Sequence, residues 1–214
     1  MVRIKANEAE PGPKVVARKR EILRAAARVF RAKGVTGARM KDIADELGAA
    51  VGNLYYYFRD KADLLAFCQE DGLAGLLDLT TRVSALDLGP AERLALLIAG
   101  HVVQVNESTP GALAHLEVEG ASAERRAALH SGRARYEDVL RSVIEDGRAR
   151  AIFRPEVDAK LATLAILGAV NWTVRWYDPS GGKSVRTIGR EFAEVLVRGL
   201  LVPGVPFRLP QEAP

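Results

Sequence analysis

The sequence predicts an all-α protein, and three observations carry that reading. Apolar residues recur at spacings of three and four along most of the 214 residues, the period of a helix with one buried face. No segment alternates apolar and polar residues for long enough to make a strand. Glycine or proline stands where each apolar stripe ends, as helix stops require. Hydrophobic residues make up 48% and charged residues 27% of the chain, which excludes a disordered protein. The longest apolar run, Leu161 to Val170 and on to Trp172, is soon followed by Arg175 and is too short to span a bilayer, so no membrane partner is expected. The polar start MVRIKANEAEPGPK does not resemble a secretion signal, and the single cysteine, Cys68, excludes an internal disulfide; both fit a cytoplasmic protein.

In chain order, Pro11-Gly12-Pro13 closes a flexible arm over residues 1–13. Lys14 to Lys33 is an amphipathic helix with Val16, Leu23, Ala26, Ala27 and Phe30 inward, ended by Gly34. Met40 to Leu47 places Met40, Ile43, Ala44 and Leu47 on one stripe, Gly48 supplies a turn, and Val51 to Phe58 forms a second short helix anchored by Leu54 and Phe58. Tyr55 is expected to be the most buried of Tyr55, Tyr56 and Tyr57. A longer helix follows from Lys61 to Val83, then a break ending in Gly89-Pro90, and helices over residues 91–106, 109–119, 122–149, 158–177 and 184–201. Pro203, Pro206 and Pro210 make the end irregular. The expected division is an arm (1–13), a three-helix domain (14–60), a larger helical domain (61–202) and a tail (203–214).

Support helix, glycine turn and second helix together have the form of a helix-turn-helix, which places its second helix in the major groove of DNA. Charge agrees with that placement. Residues 1–65 hold 14 Lys+Arg against 8 Asp+Glu, and the remaining 149 residues hold 17 against 19, so the positive field sits at the helix-turn-helix end. Val51 and Asn53 occupy base-reading positions, and Gly52 allows close backbone approach. Arg39, Lys41, Tyr56, Tyr57 and Lys61 are placed to hold phosphates. Double-stranded DNA is the expected partner.

No catalytic constellation is present: there is no phosphate-cradling glycine loop, no nucleophile elbow and no HExxH. No cofactor is expected. His115 with Glu117 and Glu119 is a poor metal site, because a spacing of two puts His115 and Glu117 on different faces of a helix.

The run from Ile43 to Leu65, IADELGAAVGNLYYYFRDKADLL, resembles the DNA-binding signature of the TetR family of bacterial repressors. It matches at Ile43, Ala44, Gly48, Gly52, Leu54, Tyr55, Phe58, Lys61 and Leu64. It departs at Arg39 and Ala50, where the family usually has Thr and Ser as helix caps, and each lost cap costs about 1 kcal/mol.

The resemblance implies an inducer-binding C-terminal domain and dimerisation through the last two helices. The residues agree: Leu161, Ala165, Gly168 and Trp172 form one apolar stripe, and Ile188, Phe192, Val195, Leu196 and Gly199 another, enough for a four-helix interface between two copies. The segment NWTVRWYDPSGGKS, Asn171 to Ser184, is similar to the same helix end in members that respond to acyl-coenzyme A thioesters of lipid or aromatic-acid catabolism. On this reading Asn171, Trp172, Arg175 and Trp176 contact the ligand, with Phe67, Leu97, His101, Leu116, Glu117 and Tyr136 lining its pocket. An aromatic-anchored dimer interface at Trp172 and Trp176 is the alternative. The expected function is a DNA-binding repressor released by a small molecule, with a different hydrophobic ligand, or no inducer at all, as the rival readings.

Overall fold

Pro90 opens the central helix at its first position, where no N–H is needed. The rest of that helix is apolar almost all round, and a helix of that composition has to be buried on every side. In the computed structural model, which describes residues 12–108 and 122–211, Leu94 to Ile98 are each at most 1% exposed. This helix, α5 (Pro90–Val103), is packed by α4 (Lys61–Ser84), α6 (Ala123–Ala149), α7 (Ala159–Trp176) and α8 (Val185–Arg198). Gly189 sets the spacing of α8: a Cβ there would lie 2.7 Å from the carbonyl oxygen of Ala99, so only glycine permits this approach.

The second core is smaller. Ile22, Leu23, Val29 and Phe30 of α1 (Pro13–Gly37) meet Met40 and Ile43 of α2 (Met40–Glu46) and Leu54 of α3 (Val51–Tyr57). Gly34, with φ 70°, breaks α1 where the sequence predicted its end. Leu64 and Cys68 of α4 belong to this core, whereas Leu79 and Val83 belong to the larger one. One continuous helix, which begins at Lys61 where the sequence placed the domain boundary, therefore packs into both cores. Burial pushes the Cys68 thiol up from its ordinary pKa, so it stays protonated and serves as a small apolar filler.

Two expectations change. The helix expected to run to Asn106 alters its winding at Gln104, and Gln104–Ser108 is a π-helical turn. The cause is local: the Asn106 side chain donates to the Val102 carbonyl (2.8 Å), the acceptor its own backbone N–H would use in an α-helix. The last helix, expected to reach Leu201, ends at Arg198, and the described part of the tail is irregular, as its prolines implied. Leu201 pairs with Phe153 in an isolated antiparallel bridge, and Phe207 is buried beneath Arg198, whose guanidinium sits 5.7 Å from its ring centre.

The described residues form eight α-helices, and none is long and apolar enough to cross a membrane. The helix expected over 109–119, with His115, Leu116, Glu117 and Glu119, lies outside the described residues, as do residues 1–11 and 212–214.

Candidate functional site

Two sites emerge, one on each core. The first is α3 and its surroundings. Gly48, at φ 62°, makes the turn from α2, a conformation that costs a residue with a Cβ. Leu54 and Phe58 then anchor α3, leaving Val51, Gly52, Asn53, Tyr55 and Tyr56 on the outside. Tyr56 is 80% exposed, and its ring meets Tyr57 edge-on at 4.9 Å. Tyr55, expected inside, is 52% exposed; Tyr57 is the half-buried one. Helix angle explains the correction. Tyr57 lies three residues after Leu54 and next to Phe58, so it shares their face, whereas Tyr55 points about 100° away from Leu54.

The cations around α3 divide into committed and available ones. Lys61 was expected at phosphate, but its ammonium donates to the carbonyls of Val35 (2.7 Å) and Ala38 (2.9 Å) and more weakly to Thr36 (3.5 Å). It thereby braces the end of α1 beyond Gly34 and Ala38, which follows it. Lys41 is exposed and paired with Asp45 (2.9 Å), whose carboxylate raises its pKa by hydrogen bonding and by charge. Arg39 is the N-cap of α2; its N–H donates to Asp42 (2.8 Å), half of a capping box, and its guanidinium is exposed. Ala50 precedes α3 with no side-chain cap, as the sequence implied.

The second site is a cavity of about 380 Å³ enclosed by α4, α5, α6 and α7 and lined by apolar Leu73, Leu76, Leu164 and Leu167. Its polar groups converge on His101, which α5 holds 3% exposed. His101 Nδ1 lies 2.9 Å from the Tyr136 hydroxyl and Nε2 lies 2.9 Å from Asn171 Oδ1. Asn171 Oδ1 can only accept, so Nε2 carries the proton and donates, and Nδ1 accepts from Tyr136. Burial raises the Tyr136 pKa, keeping its hydroxyl protonated for that role. Arg133 adds a cation at the cavity edge, where it donates to Gln69 Oε1 (3.1 Å). Desolvation lowers its pKa, yet a guanidinium stays charged.

His101, Tyr136 and Asn171 are thus brought together at one cavity, whereas Phe67, Leu97, Trp172, Arg175 and Trp176 do not line it, and Leu116 and Glu117 lie outside the described residues. Phe67 packs in the small core against Phe58, with ring centres 5.4 Å apart and Lys19 above it. Leu97 is sealed inside α5. Trp172 and Trp176, 62% and 47% exposed, stand outside the cavity, and Trp176 stacks on Phe192. Arg175 faces a separate cleft between α1 and α7. Gln69, Gln104 and Arg133 were missed. A polar residue interrupting the apolar stripe of a helix was the available signal, at Gln69 beside Gly72, Leu73 and Leu76. Among the described residues no cluster of His, Cys, Asp or Glu could hold a metal ion.

Comparison with known proteins places both sites. A family model described as "Tetracyclin repressor-like, C-terminal domain" matches residues 87–200, more than half of the chain, and "Bacterial regulatory proteins, tetR family" matches residues 22–67. The chain is 27% identical over 188 residues to the HTH-type transcriptional repressor KstR2 of Rhodococcus jostii, covering 87% of this chain and 92% of that protein. In fold it is similar to the ketosteroid transcriptional regulator KstR2 of Mycobacterium tuberculosis, with a TM-score of 0.76 over 86% of this chain and 95% of the other, at 24% identity. It is also similar to AibR solved in complex with isovaleryl coenzyme A and operator DNA, with a TM-score of 0.70 over 86% of this chain and 98% of the other, at 25% identity. With the helix-turn-helix on the smaller core and the family's C-terminal domain on the larger, the chain belongs to the TetR family and is a DNA-binding transcriptional regulator, not an enzyme.

Proposed function

We propose that the protein is a homodimeric cytoplasmic repressor that is released from a palindromic operator when an acyl-coenzyme A thioester of fatty-acid or aromatic-acid catabolism enters the cavity. The observation that carries the ligand reading is the His101–Tyr136–Asn171 chain, its first two members buried, at the wall of a cavity lined by Leu73, Leu76, Leu164 and Leu167, with Gln69, Gln104, Arg133 and Glu137 also on its wall. Leucine side chains receive the acyl group, the polar chain meets the thioester carbonyl, and Arg133 supplies a cation at the edge. A cavity of about 380 Å³ accommodates an acyl group and its thioester, while the nucleotide lies outside. AibR, with its bound isovaleryl coenzyme A, supports the ligand class.

Dimerisation is read from the outer face of α7 and α8, where Leu161, Leu164, Trp172 and Val195 are 64%, 45%, 62% and 70% exposed. Large apolar residues gathered this way mark an interface. Two recognition helices, α3 and its symmetry mate, then enter successive major grooves, with Asn53 reading base edges and Arg39, Tyr56 and Tyr57 holding phosphates. Ligand binding selects a spacing of the pair that no longer fits the operator.

Gel shifts on the DNA upstream of its own gene test the reading, with isovaleryl, octanoyl and phenylacetyl coenzyme A as ligands. Salt-sensitive, sequence-specific binding that at least one thioester reverses is the expected result. Binding that no thioester changes, together with no heat on calorimetric titration, would leave a DNA-binding protein without this class of inducer.

A further inference from the structure

The π-helical turn Gln104–Ser108 joins three parts of the molecule. Gln104 and Val105 form part of the cavity wall. Asn106, 5% exposed, donates through its side chain to the Val102 carbonyl (2.8 Å) on α5 and to the Thr173 hydroxyl (2.7 Å) on α7. Its own carbonyl accepts from the Arg31 guanidinium (3.0 Å), which belongs to α1 of the DNA-binding core. Val105 and Asn106 also line a cleft of about 470 Å³ shared with Phe30, Arg31 and Arg175, so the two cores are separated by open space around this contact. Asn106 is therefore one peptide from the effector cavity and one hydrogen bond from the DNA-binding helices.

We propose that this turn is the joint through which the cavity acts on DNA binding, with Arg31 as the positioning residue that reads its state. The proposal rests on the cavity being the effector site. A ligand that fills the cavity displaces Gln104 and Val105, and the Asn106 carbonyl, which belongs to the same π-helical turn, shifts with them. Its hydrogen bond to Arg31 is charge-assisted and directional, so α1 follows the carbonyl or the bond is lost. Either outcome changes how α3 is presented. A second tie, Arg125 of α6 to Asp63 and Glu70 of α4, holds the two helices together at the DNA-binding end and leaves the turn as the part that moves. π turns recur at functional sites.

The test measures operator affinity with and without saturating thioester for the wild type, Arg31→Gln, Arg31→Lys and Thr173→Val. Thioester affinity is measured in parallel by calorimetry. For the wild type, a ligand effect on operator affinity of about 5- to 150-fold is expected from ordinary coupling between sites. Arg31→Gln should bring that ratio close to one while leaving thioester affinity near the wild-type value. Thr173→Val, which removes the hydroxyl that fixes Asn106, should lower the ratio less, and Arg31→Lys should restore part of it. Arg31→Gln weakening operator binding equally with and without ligand would show that Arg31 is only a phosphate-facing or structural cation and would overturn the proposal. Should Arg31→Gln fail to fold, an unchanged ratio in Thr173→Val overturns it instead. A wild type that binds DNA but answers to none of the thioesters overturns the cavity reading, and the proposal with it.

Discussion

The protein exposes aromatic side chains in two places, and the contrast between them shows what an exposed ring means. On α3, Tyr55 and Tyr56 stand out from a helix that also carries Asn53 and Gly52, within residues 1–65, which hold the excess of Lys and Arg. On α7, Trp172 and Trp176 are exposed on a helix that also exposes Leu161 and Leu164, and α8 exposes Val195. A hydroxylated ring beside cations suits a wet, charged surface such as a phosphate backbone. An indole among aliphatic residues suits a dry one. Similar exposure therefore points to opposite partners, DNA for α3 and a second copy for α7, and neighbouring chemistry is what separates them.

The largest expected effect comes from attacking the dry surface. Trp172→Glu combined with Leu161→Glu should give a monomer by analytical ultracentrifugation. Operator affinity should fall by about two orders of magnitude or more, since each half-site is then bound without the gain from linkage. A double variant that stays dimeric would move the interface elsewhere and leave Trp172 as a ligand residue.

Next come single residues around α3, which separate bracing from reading. Lys61→Met should cost about 1.5–3 kcal/mol of stability, the range for hydrogen bonds to a charged group, seen as a lower Tm and urea midpoint. The salt dependence of DNA binding should barely change, because Lys61 is held by the Val35 and Ala38 carbonyls. A salt slope smaller by about one would instead return Lys61 to the phosphates. Asn53→Ala should cost about 1–3 kcal/mol of specific binding and relax the preference at one base pair, read from a panel of operator variants.

A smaller effect tests the acidic tie at the base of α4. Burial favours the neutral form of Asp63, but the Arg59 N–H and the Arg125 guanidinium outweigh it and leave the pKa below the ordinary value. A carboxylate lowered on folding stabilises the protein above its unfolded pKa and loses that contribution as the pH falls through its folded value. Stability should therefore begin to drop as the pH approaches about 4, the ordinary Asp value, and fall further below it. Asp63→Asn should flatten that part of the urea-midpoint profile, and an unchanged slope would mean that other carboxylates dominate it.

Much of the fold could be read from the chain because its signals are local. Pro90, Gly48 and Gly34 punctuate helices through their own backbone limits, and the stripe Leu54–Phe58 needs no knowledge of its partner to mark α3 as anchored on one side. The exposed face of α3 was legible for the same reason, as the outward placement of Asn53 and Tyr56 follows from helix angle alone. Tyr55 was misplaced because aromatic character was allowed to outweigh that angle. The cavity among α4, α5, α6 and α7 was legible only in part. His101, Tyr136 and Asn171 stood out as polar residues on apolar helices, whereas Phe67 and Leu97 look the same in sequence whether they line a cavity or fill a core.

Lys61 and Asn106 mark the limit. Local sequence determined the helices, the turn, the charge asymmetry and the family, because periodicity, backbone restrictions and a contiguous motif all act within a few residues. Only the tertiary structure decided that Lys61 spends its charge on carbonyls 23–26 residues earlier, that His101 joins Tyr136 and Asn171 across 35 and 70 residues, and that Arg31 meets Asn106 across 75. The physical reason is that a side chain's hydrogen-bond partners are set by which helices pack together, and packing is a property of the whole chain.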